Sequence, residues 1–232
     1  MITISGQIDP QLSRIFFYTS FTFPDLTISL YFSPADFTLY REYMKQVLII
    51  NGDPEKTAAT SLLIDAYKKG AQEAGAQIKE IAIIDLIFNS NKQFTNRVTE
   101  LEPDLKRALD MIVWANHVVL FCPVYMSSIP ARIKGFFDRL FMPDQVFLSR
   151  NQNISNNFSG RSARIVSILD EETFEYWKQD KKVTYLSIKR NVFENCRFHP
   201  VHTNTIGHLY SLENDYSKKW LRKLETFGSK LM

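Results

Sequence analysis

The chain has 232 residues, 45% of them hydrophobic and 23% charged, which is the composition of a globular protein with one full core. Its net charge of +3 is mild and no Lys/Arg run exceeds two residues, so nothing indicates a nucleic-acid-binding surface. No apolar run reaches the roughly 18 residues of a membrane helix, so no membrane span is expected.

The two cysteines, Cys122 and Cys196, are too few to form a disulfide scaffold in a chain of this size. Both fall beside apolar segments, so we expect buried free thiols in a reducing compartment and a cytoplasmic protein. No C-x-x-C pair and no cluster of Cys and His is present in the sequence, so no metal site is expected.

Residues 1–43 differ in composition from the rest of the chain, because they are rich in Phe, Tyr, Ser and Thr. Asp9 and Arg14 precede the aromatic residues and Pro24 interrupts them, so the segment is like neither a secretory signal nor a membrane helix. We expect an N-terminal extension that is disordered or lies upstream of a natural start at Met44. A hairpin that packs on the following domain is the alternative.

From residue 44 to residue 232 the sequence alternates between segments typical of strands and segments with helical periodicity. Strict alternation predicts one α/β domain with a parallel sheet, right-handed crossovers and helices on both faces. The predicted strands cover about residues 46–51, 77–84, 117–122, 163–169 and 198–206, and the predicted helices cover about residues 60–74, 103–115, 130–141, 183–194 and 215–230.

The most informative segment is the strand, loop and helix of residues 118–141. The apolar run at 118–121 is typical of a central parallel strand, and the chain then passes through Pro123 into a short polar and aromatic loop. Pro130 is expected to open an amphipathic helix, because proline in the first helical turn loses no needed hydrogen bond. The loop therefore lies at the carboxyl end of a strand, where open α/β sheets bind ligands.

Three motifs in this segment resemble those of the flavin-dependent NAD(P)H quinone reductases, which belong to the flavodoxin-like superfamily. They read Pro-Val-Tyr at 123–125, Ile-Pro-Ala at 129–131 and Lys-Gly-Phe-Phe-Asp-Arg at 134–139. The resemblance covers residues 44–228 and implies a flavodoxin-like three-layer sandwich, with a five-stranded parallel sheet of order 2-1-3-4-5. In such a sheet the switch point lies between the first and third strands.

The loop after the first strand, residues 51–61, leads into a helix N-terminus, where exposed N–H groups and the helix dipole favour an anion. The hydroxyls of Thr57, Thr60 and Ser61 can donate hydrogen bonds to a phosphate, and the position across the switch point from residues 123–128 favours that interpretation. The alternative is helix capping, since Thr and Ser are common N-caps. Neither a Rossmann fingerprint nor a P-loop sequence is present.

This loop also resembles the first loop of the family, with two departures. Asp53 replaces the usual Ser or His, and Glu55 stands where a basic residue is frequent. Carboxylates beside a phosphate are unfavourable unless they point away, and Lys56 is expected to compensate for their charge. The residues expected to hold the cofactor phosphate are Asp53, Lys56, Thr57, Thr60 and Ser61.

The resemblance implies that the loop after the third strand wraps a flavin ring. The residues expected there are Pro123, Val124, Tyr125, Met126 and Ser127. Tyr125 and Met126 are expected to be catalytic, because side chains at their positions stack on the ring or line its edge. Partial packing of these two side chains in the core is the alternative.

After the fourth strand the family usually has a glycine-containing turn, which residues 169–174 replace with a stretch that lacks glycine. By position, Asp170 and Phe174 are the expected cofactor contacts in this turn.

The resemblance implies a flavin-dependent NAD(P)H oxidoreductase that passes two electrons from NAD(P)H through FMN or FAD to a quinone or similar small acceptor. Relatives are commonly homodimers, so a homodimer is expected. One alternative is an electron carrier, although such flavodoxins are usually strongly acidic and this chain has a pI near 8.7. The other is a flavin-free interaction module, which the acidic loop and the missing glycines support.

Overall fold

The computed structural model describes residues 2–9, 14–23 and 26–32 by their backbone alone. It also describes residues 45–90, 101–125, 128–141, 158–180, 188–207, 209 and 214–231, with the side chains of all of these except 179 and 180. The chain divides into two compact units, residues 1–44 and residues 45–232. We refer to the second as the α/β unit.

The first unit contains a three-stranded antiparallel sheet. Its strands are β1 (Ile2–Asp9), β2 (Arg14–Phe23) and β3 (Leu26–Phe32), in the order β1-β2-β3. Both neighbouring pairs are antiparallel. The expectation that this segment is disordered or precedes the natural start stays a prediction.

The α/β unit is built on a five-stranded parallel sheet with the order β5-β4-β6-β7-β8. Counted within the unit this order is 2-1-3-4-5, so the predicted flavodoxin-like sheet is confirmed. The strands are β4 (Gln46–Asn51), β5 (Gln77–Ala82), β6 (His117–Val124), β7 (Ser162–Leu169) and β8 (Val201–Ile206).

Five α-helices are described in this unit, namely α1 (Ala58–Glu73), α2 (Pro103–Trp114), α3 (Ala131–Leu140), α4 (Glu171–Asp180) and α5 (Asp215–Lys230). The sequence analysis missed α4. The predicted helix at 183–194 lies partly outside the described residues, and its later part is a short π-helix, Lys189–Glu194. None of the helices in the described part of the chain is both long and apolar enough to cross a membrane.

Alternate residues of β4 face two separate hydrophobic cores, which places helices on both sides of the sheet. Leu48 and Ile50 pack in the core that includes side chains from α2 and α3. Val47 and Ile49 pack in the core that includes side chains from α1 and α5. The continuous apolar run of β4 is therefore explained by burial of both strand faces.

The arginine of the 134–139 motif has a structural role. Arg139 is fully buried, and its guanidinium donates to both carboxylate oxygens of Glu102 at 2.8 and 2.6 Å and to the Asn89 carbonyl oxygen at 2.8 Å. Burial alone would raise the pKa of Glu102, but the hydrogen bond from Arg139 outweighs it and lowers that pKa. The bidentate ion pair fixes α3 against the residue that precedes α2.

Two glycines allow α1 and α5 to cross at close range. A Cβ atom built on Gly70 would lie 1.9 Å from the Glu225 carbonyl oxygen, and one built on Gly228 would lie 2.2 Å from the Tyr67 carbonyl oxygen. Both neighbours are backbone atoms, which cannot move aside without displacing a helix. The crossing therefore requires glycine on both helices.

We predict that Gly70→Ala lowers the free energy of unfolding by about 1–3 kcal/mol through overpacking. Helix propensity alone would instead favour alanine by about 1 kcal/mol, so the sign of the change reports the helix contact. Urea denaturation measures it, with Gln72→Ala on the exposed face of α1 as the control. A Gly70→Ala protein as stable as wild type would show that the two helices do not cross this closely.

Candidate functional site

The sheet opens a crevice where β4 and β6 end side by side. The Gly52 N–H donates to the Phe121 carbonyl oxygen at 2.8 Å, one residue beyond the last pair of the β4–β6 ladder, Asn51 with Phe121. From there the chain after β4 enters α1 on one face of the sheet, and the chain after β6 enters α3 on the other. Such a divergence at the carboxyl ends of neighbouring strands is the switch point where ligands bind in open α/β sheets.

Pro123 lines this crevice because β6 runs on beyond the end of β4. The carbonyl group of Phe121 points toward β4. Backbone polar groups of residues two positions apart in a strand point to the same side. The Pro123 nitrogen therefore faces the side where β4 has ended. Proline is tolerated in a strand where no partner needs its missing N–H. Pro123 and Val124 are thus buried strand residues. They were expected to lie in the loop after the strand.

The loop after β4 folds around the carboxylate of Asp53. This side chain is fully buried and accepts hydrogen bonds from the Glu55 N–H at 3.0 Å, the Thr57 N–H at 2.9 Å and the Thr57 hydroxyl at 2.7 Å. The Asp53 N–H in turn donates to the Asn51 side-chain oxygen at 2.9 Å. Three donors of the loop therefore converge on one internal anion.

Lys56 shapes the concavity that holds this carboxylate. Its φ of 50° is in the left-handed region, and the two N–H donors belong to the residues on either side of it, Glu55 and Thr57. Backbone N–H groups arranged around a left-handed residue form a concavity that binds anions. The Lys56 side chain leaves the loop and pairs with Asp85 at 2.6 Å, so it does not compensate for the charge of Asp53 as expected.

The Asp53 carboxylate is held in its ionised form. Burial alone would raise its pKa, but hydrogen bonds from the side chains of Thr57 and Thr60 and from the N–H groups of Glu55 and Thr57 outweigh burial and lower it. The Asp53 carboxylate therefore does not point away from the donors of this loop, because it accepts their hydrogen bonds.

One of the predicted hydroxyl donors, Thr57, acts as a helix cap. Thr57 is the N-cap of α1, and its hydroxyl oxygen accepts from the Thr60 N–H at 3.3 Å and lies 3.0 Å from the Thr60 hydroxyl. Ser61 lies within the helix, with its N–H donating to the Thr57 carbonyl oxygen at 3.0 Å. The capping alternative thus describes Thr57, and the phosphate contacts expected of Thr57, Thr60 and Ser61 stay predictions.

The loop after β6 is a tight reverse turn. The Tyr125 N–H donates to the Ser128 carbonyl oxygen, and the Ser128 N–H donates to the Tyr125 carbonyl oxygen, both at 2.9 Å. The two residues at the tip, Met126 and Ser127, lie outside the described residues. The N–H groups of Tyr125 and Ser128 are therefore engaged within the turn and are not free to donate to a flavin ring.

Tyr125 directly follows the last residue of β6, and 41% of its surface is exposed. Its pKa is raised by burial first, and then by the negative charges of Asp53, Glu55 and Asp170. The phenol therefore stays protonated at neutral pH. The structure thus brings together three of the predicted site residues, Tyr125, Asp53 and Asp170, and the last two are carboxylates.

The loop predicted after β7 is replaced by a helix start. The Asp170 carboxylate accepts from the Thr173 N–H at 2.7 Å, and α4 begins at the next residue, Glu171. An Asp followed by two Glu residues is a recognisable start signal, and it could have revealed this helix in the sequence. Like Asp53, Asp170 accepts a backbone N–H hydrogen bond with its carboxylate at the carboxyl edge of the sheet.

Phe174 lies apart from the crevice. Its ring stacks on Trp177 at a centroid distance of 5.7 Å, and a Cβ atom built on Gly207 would lie 2.6 Å from it. Gly207 follows β8, which is two strands away from β6, so Phe174 is not brought together with Tyr125 and Asp53.

Neither cysteine is activated. Cys122 in β6 and Cys196 are both buried and free, and burial raises the pKa of each thiol to about 12. Within the part of the chain that the structure describes, no group of three or more His, Cys, Asp and Glu side chains is arranged to hold a metal ion.

A family model described as "Flavodoxin-like fold" matches residues 45–227, which is most of the chain. The chain belongs to this flavodoxin-like family. The match covers β4 to α5 and leaves out the first unit, in agreement with the division of the chain at residue 44. No curated protein sequence matches the chain significantly.

Solved structures with this fold are similar over almost their whole length. Smu.1420 from Streptococcus mutans UA159 is 18% identical with a TM-score of 0.64, and the alignment covers 80% of this chain and 99% of that chain. The NAD(P)H:quinone oxidoreductase from Methanothermobacter marburgensis is 16% identical with a TM-score of 0.63, and the alignment covers 81% and 96%. An FMN-dependent NADH-azoreductase from Bacillus anthracis, in complex with FMN, is 16% identical with a TM-score of 0.60, and the alignment covers 81% and 99%.

The residues of this crevice do not fit the phosphate of FMN. A phosphate at the loop would compete with Asp53 for the N–H groups of Glu55 and Thr57, and it would bring further negative charge against a buried carboxylate. Among the residues that the structure describes, the disagreement found lies at the phosphate end of the cofactor.

We predict that Thr57→Val destabilises the protein by about 1–2 kcal/mol, because the change removes the N-cap of α1 and one of the donors to Asp53. Thr57→Ser keeps the hydroxyl and is expected to change the stability by less than about 0.5 kcal/mol. Urea denaturation of both variants makes the comparison. Equal stability of the two variants would contradict the hydrogen bonding described for this loop.

Proposed function

We propose that the protein is a flavin-dependent NAD(P)H oxidoreductase that transfers two electrons from NAD(P)H to a quinone or similar small acceptor. The observation that carries the proposal is the crevice between β4 and β6, in a chain that belongs to the flavodoxin-like family. The related structures whose names state an activity, a quinone oxidoreductase and an azoreductase, support the reaction class and the use of NAD(P)H.

Tyr125 is the described residue best placed to contact a ring bound in this crevice. Its half-exposed aromatic face offers a stacking surface, and its protonated phenol offers a hydrogen-bond donor. We propose that Met126 and Ser127 contact the same ring, since they directly follow Tyr125 in the sequence. Pro123 and Val124 support the turn from the end of β6.

A flavin-free interaction module is the second candidate, and the buried Asp53 carboxylate favours it because this charge opposes the phosphate of FMN and FAD. The electron-carrier alternative is weaker, since the chain carries a net charge of +3. The homodimer and the cytoplasmic location remain proposals, and sedimentation at micromolar concentration tests the first. The cysteines, both free and buried, are consistent with a reducing compartment.

The proposal predicts that the purified protein binds a flavin and that NADPH or NADH bleaches the flavin absorbance under anaerobic conditions. A quinone added afterwards should restore the absorbance and sustain NAD(P)H oxidation. Riboflavin, FMN and FAD are each supplied, so that the result does not depend on one form of the cofactor. Bound flavin that NAD(P)H does not bleach would indicate a carrier, and no binding of any flavin would indicate the interaction module.

The same assay locates the ring. Tyr125→Ala is expected to weaken flavin binding by roughly tenfold through the lost stacking surface, whereas Tyr125→Phe keeps the ring and should change binding little. Tyr176→Ala, at a tyrosine on α4 with 61% of its surface exposed, is the matched control. Equal loss of binding in the Tyr125→Ala and Tyr176→Ala proteins would contradict the placement at the turn.

A further inference from the structure

We propose that Asp53 is a built-in anion that closes the phosphate position of the crevice, so that the protein selects a flavin without a phosphate, such as riboflavin, over FMN. The inference deepens the proposed function and rests on it, because it names the form of the cofactor that the same site takes. Asp53 is then the residue that determines this specificity.

The hydrogen-bond donors of the loop after β4 are already engaged by Asp53. The N–H groups of Glu55 and Thr57 and the hydroxyl of Thr57 all donate to the Asp53 carboxylate, at distances of 2.7 to 3.0 Å. These are the donors that a loop at a strand end and a helix N-terminus would otherwise offer to a phosphate. A phosphate would have to displace the carboxylate to reach them.

The Asp53 carboxylate competes with an incoming phosphate for these donors. Hydrogen bonds to an ionised acceptor are about twice as strong as neutral ones, and here three of them hold a carboxylate that is already part of the chain. An internal group loses no translational freedom when it binds, whereas an incoming phosphate does. The Asp53 side chain has no surface exposed to water, so its charge is screened less than that of an exposed carboxylate.

The lysine of the loop does not compensate for the charge of Asp53. Lys56 makes 2.6 Å contacts with both carboxylate oxygens of Asp85. Glu55 adds a further carboxylate to the loop, and Asp170 another to the same edge of the sheet. These described carboxylates disfavour a phosphate dianion, whereas the neutral hydroxyls of a ribityl chain can donate to a carboxylate.

The test compares wild type with Asp53→Ser, which removes the carboxylate and frees its three donors. Dissociation constants for riboflavin and FMN are measured by quenching of flavin fluorescence. Wild type is expected to bind riboflavin more tightly than FMN, and Asp53→Ser is expected to shift the affinity ratio toward FMN by about tenfold or more, which equals about 1.4 kcal/mol. Glu171→Gln, which removes an exposed carboxylate of the first turn of α4, is the control and should leave the ratio unchanged.

A second readout does not need a flavin. Inorganic phosphate is titrated into each protein while the backbone amide signals of Glu55 and Thr57 are followed by NMR. Phosphate should shift these two signals in Asp53→Ser and leave them in place in wild type. Asp53→Asn, which keeps the shape of the side chain and removes its charge, replaces Asp53→Ser if the serine variant does not fold.

The possible results are distinct. A wild type that binds FMN as tightly as riboflavin or more tightly would overturn the inference, and so would equal phosphate shifts in wild type and variant. An absence of phosphate binding in both Asp53 variants would also overturn it, since the donors would then not form an anion site. If no protein binds any flavin, the proposed function fails, and the phosphate titration still decides whether Asp53 closes the anion position.

Discussion

The parallel pairing of β4 with β6, and its end at Asn51 and Phe121, is the constraint on which the rest of the site depends. Beyond this pair β6 continues with β7 as its neighbour, and its open side faces the end of β4. The two following helices pack on opposite faces of the sheet, so their first residues diverge and leave a crevice. Asp53 and Tyr125 are placed at the same edge by this arrangement, although they are far apart in sequence.

The chemistry of the edge follows from how its backbone N–H groups are satisfied. In an open sheet of this type the helix N-termini at the carboxyl edge are natural sites for an anionic ligand. Here Asp53 takes donors before α1, and Asp170 takes a donor in the first turn of α4. The protein therefore has the family's fold with internal carboxylates at positions where an exogenous anion would be stabilised, and the ligand expected there is neutral at that end.

Much of the fold could be predicted from the sequence, because alternating apolar strands and amphipathic helices admit few topologies. The helix α4 was missed because the absence of glycine after β7 was interpreted as an altered loop, whereas Asp170 followed by acidic residues caps a helix. The position of the Asp53 side chain could not be predicted. It depends on the left-handed backbone of Lys56, which residue type does not indicate for a lysine.

Hydrogen–deuterium exchange with and without saturating riboflavin tests the proposed binding of a flavin between the ends of β4 and β6. We expect slower exchange in peptides that cover residues 52–60 and 123–130, with no change at the crossing of α1 and α5. Protection confined to another part of the chain would show that the flavin binds elsewhere, and unchanged exchange throughout the protein would show that it does not bind.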